Sequence, residues 1–262
     1  MKVYNEKDVS IHYIDEGEGK PLFFIHGLGA DHCMFEPQID FFSQEYRVIC
    51  PDLRGNGESS ELAGPVRTVL DRQCDDIAHM MDALHIDRAM FAGVSYGGVF
   101  CFHFALRYPE RVAGMIVADS FSDARIVGVK ELGIMASIYL SLPLFYMPKL
   151  LKAGVISQYK RWPLARKHMV RAFENLRSRE VVLQRLAINK VNHTPDLGKI
   201  WCPVLGLVGD DVKLMIKYMR RAMDRIPGSE LIVLKDSFDP SNLCAADRYN
   251  ALAAGFLRDN GW

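Results

Sequence analysis

Hydrophobic and polar positions change period several times along the 262 residues, and the changes mark out elements. Val9, Ile11 and Tyr13 alternate with polar residues as in a half-buried strand, and Glu16-Gly17-Glu18-Gly19 supplies a turn. The next run, Pro21-Leu22-Phe23-Phe24-Ile25, is apolar throughout, the pattern of a strand buried on both faces. Residues 46–50 predict a further strand, and residues 68–84 carry helical spacing at Val69, Ile77, Met80, Met81 and Leu84. Ala89, Met90 and Phe91 begin another strand, residues 99–106 read as a helix, and Met115-Ile116-Val117-Ala118 as a strand. This alternation predicts an α/β protein with a mainly parallel, twisted sheet and helices on both faces.

Between residues 121 and 196 the alternation stops. The segment is helical in pattern, rich in large apolar residues, and punctuated by Pro143, Pro148 and Pro163. It is expected to form a helical lid inserted into one core domain made of residues 1–120 and 197–262. The sheet pattern then resumes with a strand at 203–208, a helix through Met215, Met219 and Met223, a strand at 230–234 and a closing helix at 245–257.

Composition narrows the function classes. Lys plus Arg balance Asp plus Glu at 32 each, so no global charge favours nucleic acid. The lid segment is an exception: 6 Lys and 7 Arg face 5 acidic residues there, a surplus of eight positive charges that would steer anionic or amphiphilic molecules. The first residues lack the apolar core of a secretory signal, and nowhere do about 18 uninterrupted apolar residues form a membrane span. The expectation is a cytoplasmic protein, monomer or homodimer. Six scattered cysteines without C-x-x-C spacing read as reduced, mostly buried thiols, implying neither zinc nor disulfides.

Candidate chemistry centres on Gly93-Val94-Ser95-Tyr96-Gly97, a G-x-S-x-G at a strand-to-helix corner. Such a corner lifts a serine hydroxyl above the sheet edge, where the following helix N-terminus offers amide donors to a developing oxyanion. Three companions follow the same order as in a known family: H-G-x-G at residues 26–29, P-D-x-R-G-x-G-x-S at 51–59, and P-V-L-x-x-x-G-x-D at 203–211. With these four motifs the chain resembles the α/β-hydrolases, in particular the small, lidded, cofactor-free group of esterases, enol-lactonases and C–C-bond hydrolases. The resemblance implies Ser95 as nucleophile, the backbone amides of Leu28 and Tyr96 as oxyanion donors, no cofactor or metal, and a small apolar or amphiphilic ester, thioester or lactone as substrate. His26, inside the oxyanion motif, is assigned a structural role, and Asp52 and Arg54 are assigned to tying loops.

The acid and base are where the chain departs from the family. The usual aspartate, three residues after the strand-end glycine, is replaced by Val212; a one-residue shortening would make Asp211 the acid, with Asp210 and Asp119 as alternatives. The family's histidine after the last strand aligns with Asp239, and no histidine follows His193. A carboxylate is a far weaker base than imidazole unless burial or a second carboxylate raises its pKa. The expectation is therefore a serine hydrolase with Ser95, Asp239 and Asp211 at its site and impaired turnover. A displaced histidine serving as base, or a binding or sensor protein on the same scaffold, are the alternatives.

Overall fold

The computed structural model describes residues 1–6, 8–124 and 128–262. Its centre is an eight-stranded sheet in the order β1-β2-β4-β3-β5-β6-β7-β8. The strands are β1 (Lys2–Glu6), β2 (Val9–Glu16), β3 (Pro21–Ile25), β4 (Arg47–Pro51), β5 (Ala89–Val94), β6 (Val112–Ala118), β7 (Val204–Gly209) and β8 (Glu230–Leu234). From β4 through β3 to β8 all neighbours are parallel, while β1 and β2 join antiparallel at one edge. The hydropathy pattern misses β1. Its residues Lys-Val-Tyr-Asn-Glu are mostly exposed, so an edge strand held by its ladder to β2 carries little apolar periodicity.

The central strands are apolar on every position because helices cover both faces, and alternate side chains enter two different cores. In β3, Phe23 and Ile25 pack with α2 (Val69–Ala83), α3 (Tyr96–Arg107) and α8 (Lys213–Met223). Leu22 and Phe24 face the opposite way, toward α1 (Glu36–Phe42) and α10 (Ala246–Asp259). A short helix α9 (Ser241–Cys244) precedes α10.

Between β6 and β7 the chain forms α4 (Val129–Ser141), a 3₁₀ continuation Leu142–Tyr146, α5 (Pro148–Gln158), α6 (Pro163–Glu174) and α7 (Ser178–Ile188). Each of α5 and α6 starts at a proline, where the missing N–H is not needed by the helix. Buried residues of this segment, Val155, Tyr159, Trp162, Ala165 and Ala172, belong to the core on the α1–α10 side.

The strand order locates the site. The chain passes from β3 outward to β4 and then crosses back to lay β5 on the other side of β3. At such a reversal the loops leaving adjacent strands part in opposite directions and open a crevice at the carboxyl ends. The loops after β3 and β5 carry His26-Gly27-Leu28 and Ser95.

Candidate active site

Ser95 occupies the single residue between the end of β5 and the start of α3, with φ 55° and ψ −111°, a conformation costly for an L-residue. Two glycines make the sharp turn possible. A Cβ on Gly93 would lie 2.3 Å from the carbonyl oxygen of Gly97, and one on Gly97 would lie 2.0 Å from that of Ile25. The backbone is pinned on both sides: Ser95 N–H donates to the carbonyl of Ala118 at 2.8 Å, and Ser120 Oγ donates to the carbonyl of Ser95 at 2.8 Å.

The hydroxyl of Ser95 donates to Asp239 Oδ2 at 3.0 Å, across 144 residues of sequence. Asp239 sits on the loop after β8, and that loop is held from above. Tyr159 Oη donates to the Asp239 carbonyl at 2.7 Å, Trp162 Nε1 donates to the Asp236 carbonyl at 2.8 Å, and the Trp162 ring stacks on Phe238. Behind Asp239 lies Asp119, at the end of β6, buried and in the left-handed region at φ 48°. Its carboxylate accepts from Gly209 N–H at 2.9 Å, Ser241 N–H at 2.6 Å and Ser241 Oγ at 2.9 Å.

Two buried carboxyls in one place cannot both ionise at neutral pH. Burial raises Asp119 to about 6, partly offset by its three donors. Asp239 is raised to about 8, first by burial, then by the charge of Asp119, against which the Ser95 hydrogen bond and the charge of Arg185 act. Although Asp239 keeps some solvent contact, it is closely surrounded by protein atoms, and that enclosure governs its charge.

Ser95 and Asp239 share a cavity of about 230 Å³ whose walls include Leu28, Phe121, Phe145, Tyr159, Met169 and Phe173. Neither the Leu28 N–H nor the Tyr96 N–H donates to another described residue, which leaves both available beside the serine. Larger hollows, one beside Leu62 and Glu180 and one along α5, are more open and hold no serine facing a carboxyl.

A model of the α/β hydrolase fold matches residues 20–146. The chain is 38% identical over 116 residues to 3-oxoadipate enol-lactonase 2 of Acinetobacter baylyi, a match spanning 44% of this chain and only 43% of that protein. It is 27% identical over 281 residues to 2-hydroxy-6-oxo-6-phenylhexa-2,4-dienoate hydrolase of Burkholderia cepacia, spanning 97% of this chain and 94% of the relative. Among solved structures, the enol-lactonase of Burkholderia xenovorans LB400 superposes with a TM-score of 0.84 at 24% identity, covering 98% of this chain and 100% of that one. The chain has the α/β-hydrolase fold.

On this hydrolase scaffold the expected residues separate into two groups. Ser95, Asp239 and Leu28 line the cavity, and Tyr96 follows Ser95 as the first residue of α3, its hydroxyl donating to Gln73. Asp211 does not, and its expected place behind Asp239 is a correction. It is exposed, 3.4 Å from Arg161 Nη1, while exposed Asp210 accepts from Ser237 N–H at 3.3 Å. The carboxyl behind Asp239 is Asp119, because the loop after β8 reaches across the end of β7 to β6, where Ser241 N–H and Oγ and Gly209 N–H all donate to Asp119.

No histidine lines the cavity. His26 is buried, with Nδ1 2.9 Å from the Gly27 carbonyl and Nε2 accepting from Leu53 N–H at 3.0 Å, and burial lowers its pKa. Nδ1 of His168, in α6, contacts the Cys33 carbonyl at 2.9 Å. Asp52 ties loops, accepting from the His32 backbone N–H and pairing with His32 Nδ1, both at 2.8 Å, and Arg54 binds Asp76.

Two site residues escaped the motif reading. Tyr159 carries the Asp239 loop, and Arg185 lines the cavity with no hydrogen bond or ion pair from its side chain among the described residues. Burial lowers the Arg185 pKa, partly offset by the charge of Asp239. A trace of Arg185 was present in the sequence: it lies four residues after Val181 and three before Ile188, on the buried stripe of α7.

Proposed function

We propose that this protein is a serine hydrolase acting on an ester, thioester or lactone that carries an anionic group. The reading rests on the 3.0 Å contact between Ser95 Oγ and Asp239 inside a cavity that Leu28 also lines, with Tyr96 the residue after the serine at the start of α3. Ionised Asp239 takes the Ser95 proton as the Oγ–carbon bond forms, and the amides of Leu28 and Tyr96 hold the oxyanion. Each such donor contributes about 3–4 kcal/mol to lowering the barrier. When the carbon–leaving group bond breaks, Asp239 returns the proton to the departing oxygen or sulfur, and water then cleaves the acyl-serine by the same route. Burial raises the basicity of Asp239 toward 8, and Asp119 adds to it through its charge. The inserted helices over the cavity serve as a lid, and the unpaired Arg185 on α7 supplies the partner for a substrate carboxylate.

One observation favours a second reading. Below about pH 8 the Asp239 carboxyl is uncharged and cannot accept the serine proton. At neutral pH the pocket would then bind an anionic carbonyl ligand with little turnover, as a sensor would. The two readings part on one experiment: hydrolysis of a panel of carboxylate-bearing and neutral aryl esters between pH 6 and 9.5, with fluorophosphonate labelling of Ser95. Turnover and labelling that rise through about pH 8, and vanish in Ser95→Ala, support the hydrolase. Saturable ligand binding with no turnover at any pH supports the sensor.

A further inference from the structure

Among the described residues, ten of the 14 exposed large apolar side chains lie between positions 129 and 164. All but Leu164, on α6, crown the stretch from α4 through its 3₁₀ continuation to α5: Leu140 is 81% exposed, Tyr146 59% and Leu150 52%. The stretches 132–146 and 148–158 meet at a bend of 118° and together have the hydropathy of a membrane-buried segment, while among the described residues no single helix is long and apolar enough to cross a membrane. An apolar face of this extent, left in water by a folded chain, marks a surface that something covers.

Two further observations say what covers it. The surplus of eight positive charges is spread over residues 121–196 as a whole, and near the apolar face Lys149, adjacent to Leu150, and Lys160, just after α5, have no carboxylate within ion-pair distance among the described residues. An isologous contact with a second copy would press the same lysine-bearing patch against itself, without negative charge of its own to meet it. An apolar groove of about 560 Å³ also runs along α5 past Leu144, Leu150 and Val155, and its inner walls Tyr159, Met169 and Phe173 are shared with the Ser95 cavity.

We propose that the α4–α5 face docks on the surface of an anionic lipid bilayer, its leucines and tyrosines entering the interface and Lys149 and Lys160 meeting the headgroups. This is the way an amphipathic, lysine-flanked element lies in an interface without spanning it. The groove then opens on the bilayer, so that an amphiphile dissolved there reaches the cavity without crossing water. Docking is independent of whether Ser95 turns over, so vesicle binding, read without substrate, tests it separately from the hydrolase reading.

The test is co-sedimentation of the full chain with phosphatidylcholine vesicles and with vesicles also containing phosphatidylglycerol. The expected result is binding to the anionic vesicles that weakens with salt, and little binding to phosphatidylcholine alone. Leu140→Asp with Leu150→Asp, both solvent-facing and so expected to leave the circular dichroism unchanged, should lower the partition coefficient at least about tenfold. Lys149→Glu with Lys160→Glu should lower it by roughly fivefold or more per lysine at low salt. No partition onto anionic vesicles, or equal partition onto both kinds, overturns the proposal. So does a sedimentation-velocity dimer that Leu140→Asp abolishes, since that assigns the face to a second copy.

Discussion

Asp239 decides at the residue scale how this pocket behaves. If it stands where the family's histidine belongs, Asp239→His should raise serine-ester hydrolysis by at least about 10²-fold, since a positioned general base contributes roughly 10²–10⁴. Ser95→Ala in that background should remove the gain. The pH profiles should also differ in position: the parent's ascending limb near 8, where Asp239 loses its proton against Asp119, and the variant's near a histidine pKa of about 6.5. An unchanged rate in folded Asp239→His would place the base elsewhere. Arg185 makes a separate prediction. Arg185→Gln should raise KM for a carboxylate-bearing ester at least about tenfold, the loss of one charge-assisted contact, and leave a neutral ester's KM within about twofold. Equal effects on both esters would reduce Arg185 to a wall of the cavity.

At the element scale, the corner between β5 and α3 and the inserted helices work by opposite means. The corner is rigid because two glycines let backbone touch backbone, so Gly97→Ala, whose Cβ would meet the Ile25 carbonyl at 2.0 Å, should cost about 1–3 kcal/mol in denaturant unfolding. The inserted helices α4–α7 have no sheet ladder and are broken by prolines; as a lid they should exchange amide hydrogens faster than β3, β5 and β6. Exchange as slow in α4–α5 as in those strands, measured by mass spectrometry, would argue for a fixed roof.

For the whole molecule, the buried carboxyl pair ties stability to pH. A carboxyl whose folded pKa is raised binds its proton more tightly in the folded state. Its stabilising contribution is therefore complete below the unfolded value near 3.8 and is lost as pH rises through about 8. Asp239→Asn, which keeps the shape and never ionises, should therefore gain stability over the parent between pH 5 and 9. A gain of at least about 1.4 kcal/mol, the equivalent of one pKa unit, is expected in urea unfolding. A parallel pH dependence in both proteins would mean that Asp239 titrates normally.

Much of this was legible in the chain before any coordinates. Uniform apolar runs at residues 21–25, 89–94 and 204–209 already demanded a sheet covered on both faces, because local periodicity reports burial directly. The G-x-S-x-G placed Ser95 at a corner for a reason internal to five residues: only glycine leaves room for that turn. What the sequence could not decide were the relations between loops far apart along it. Whether Asp211 or Asp119 stands behind Asp239 depends on the path of the loop after β8, which passes its sheet neighbour β7 to reach the end of β6, and no spacing along the chain encodes that path. Whether an arginine on the buried stripe of α7 meets solvent or Ser95 depends on how the inserted helices lie over the strand ends. The raised pKa of Asp239 arises only when burial and a second carboxyl converge from separate elements, so tertiary structure alone set the charge at the centre of the site.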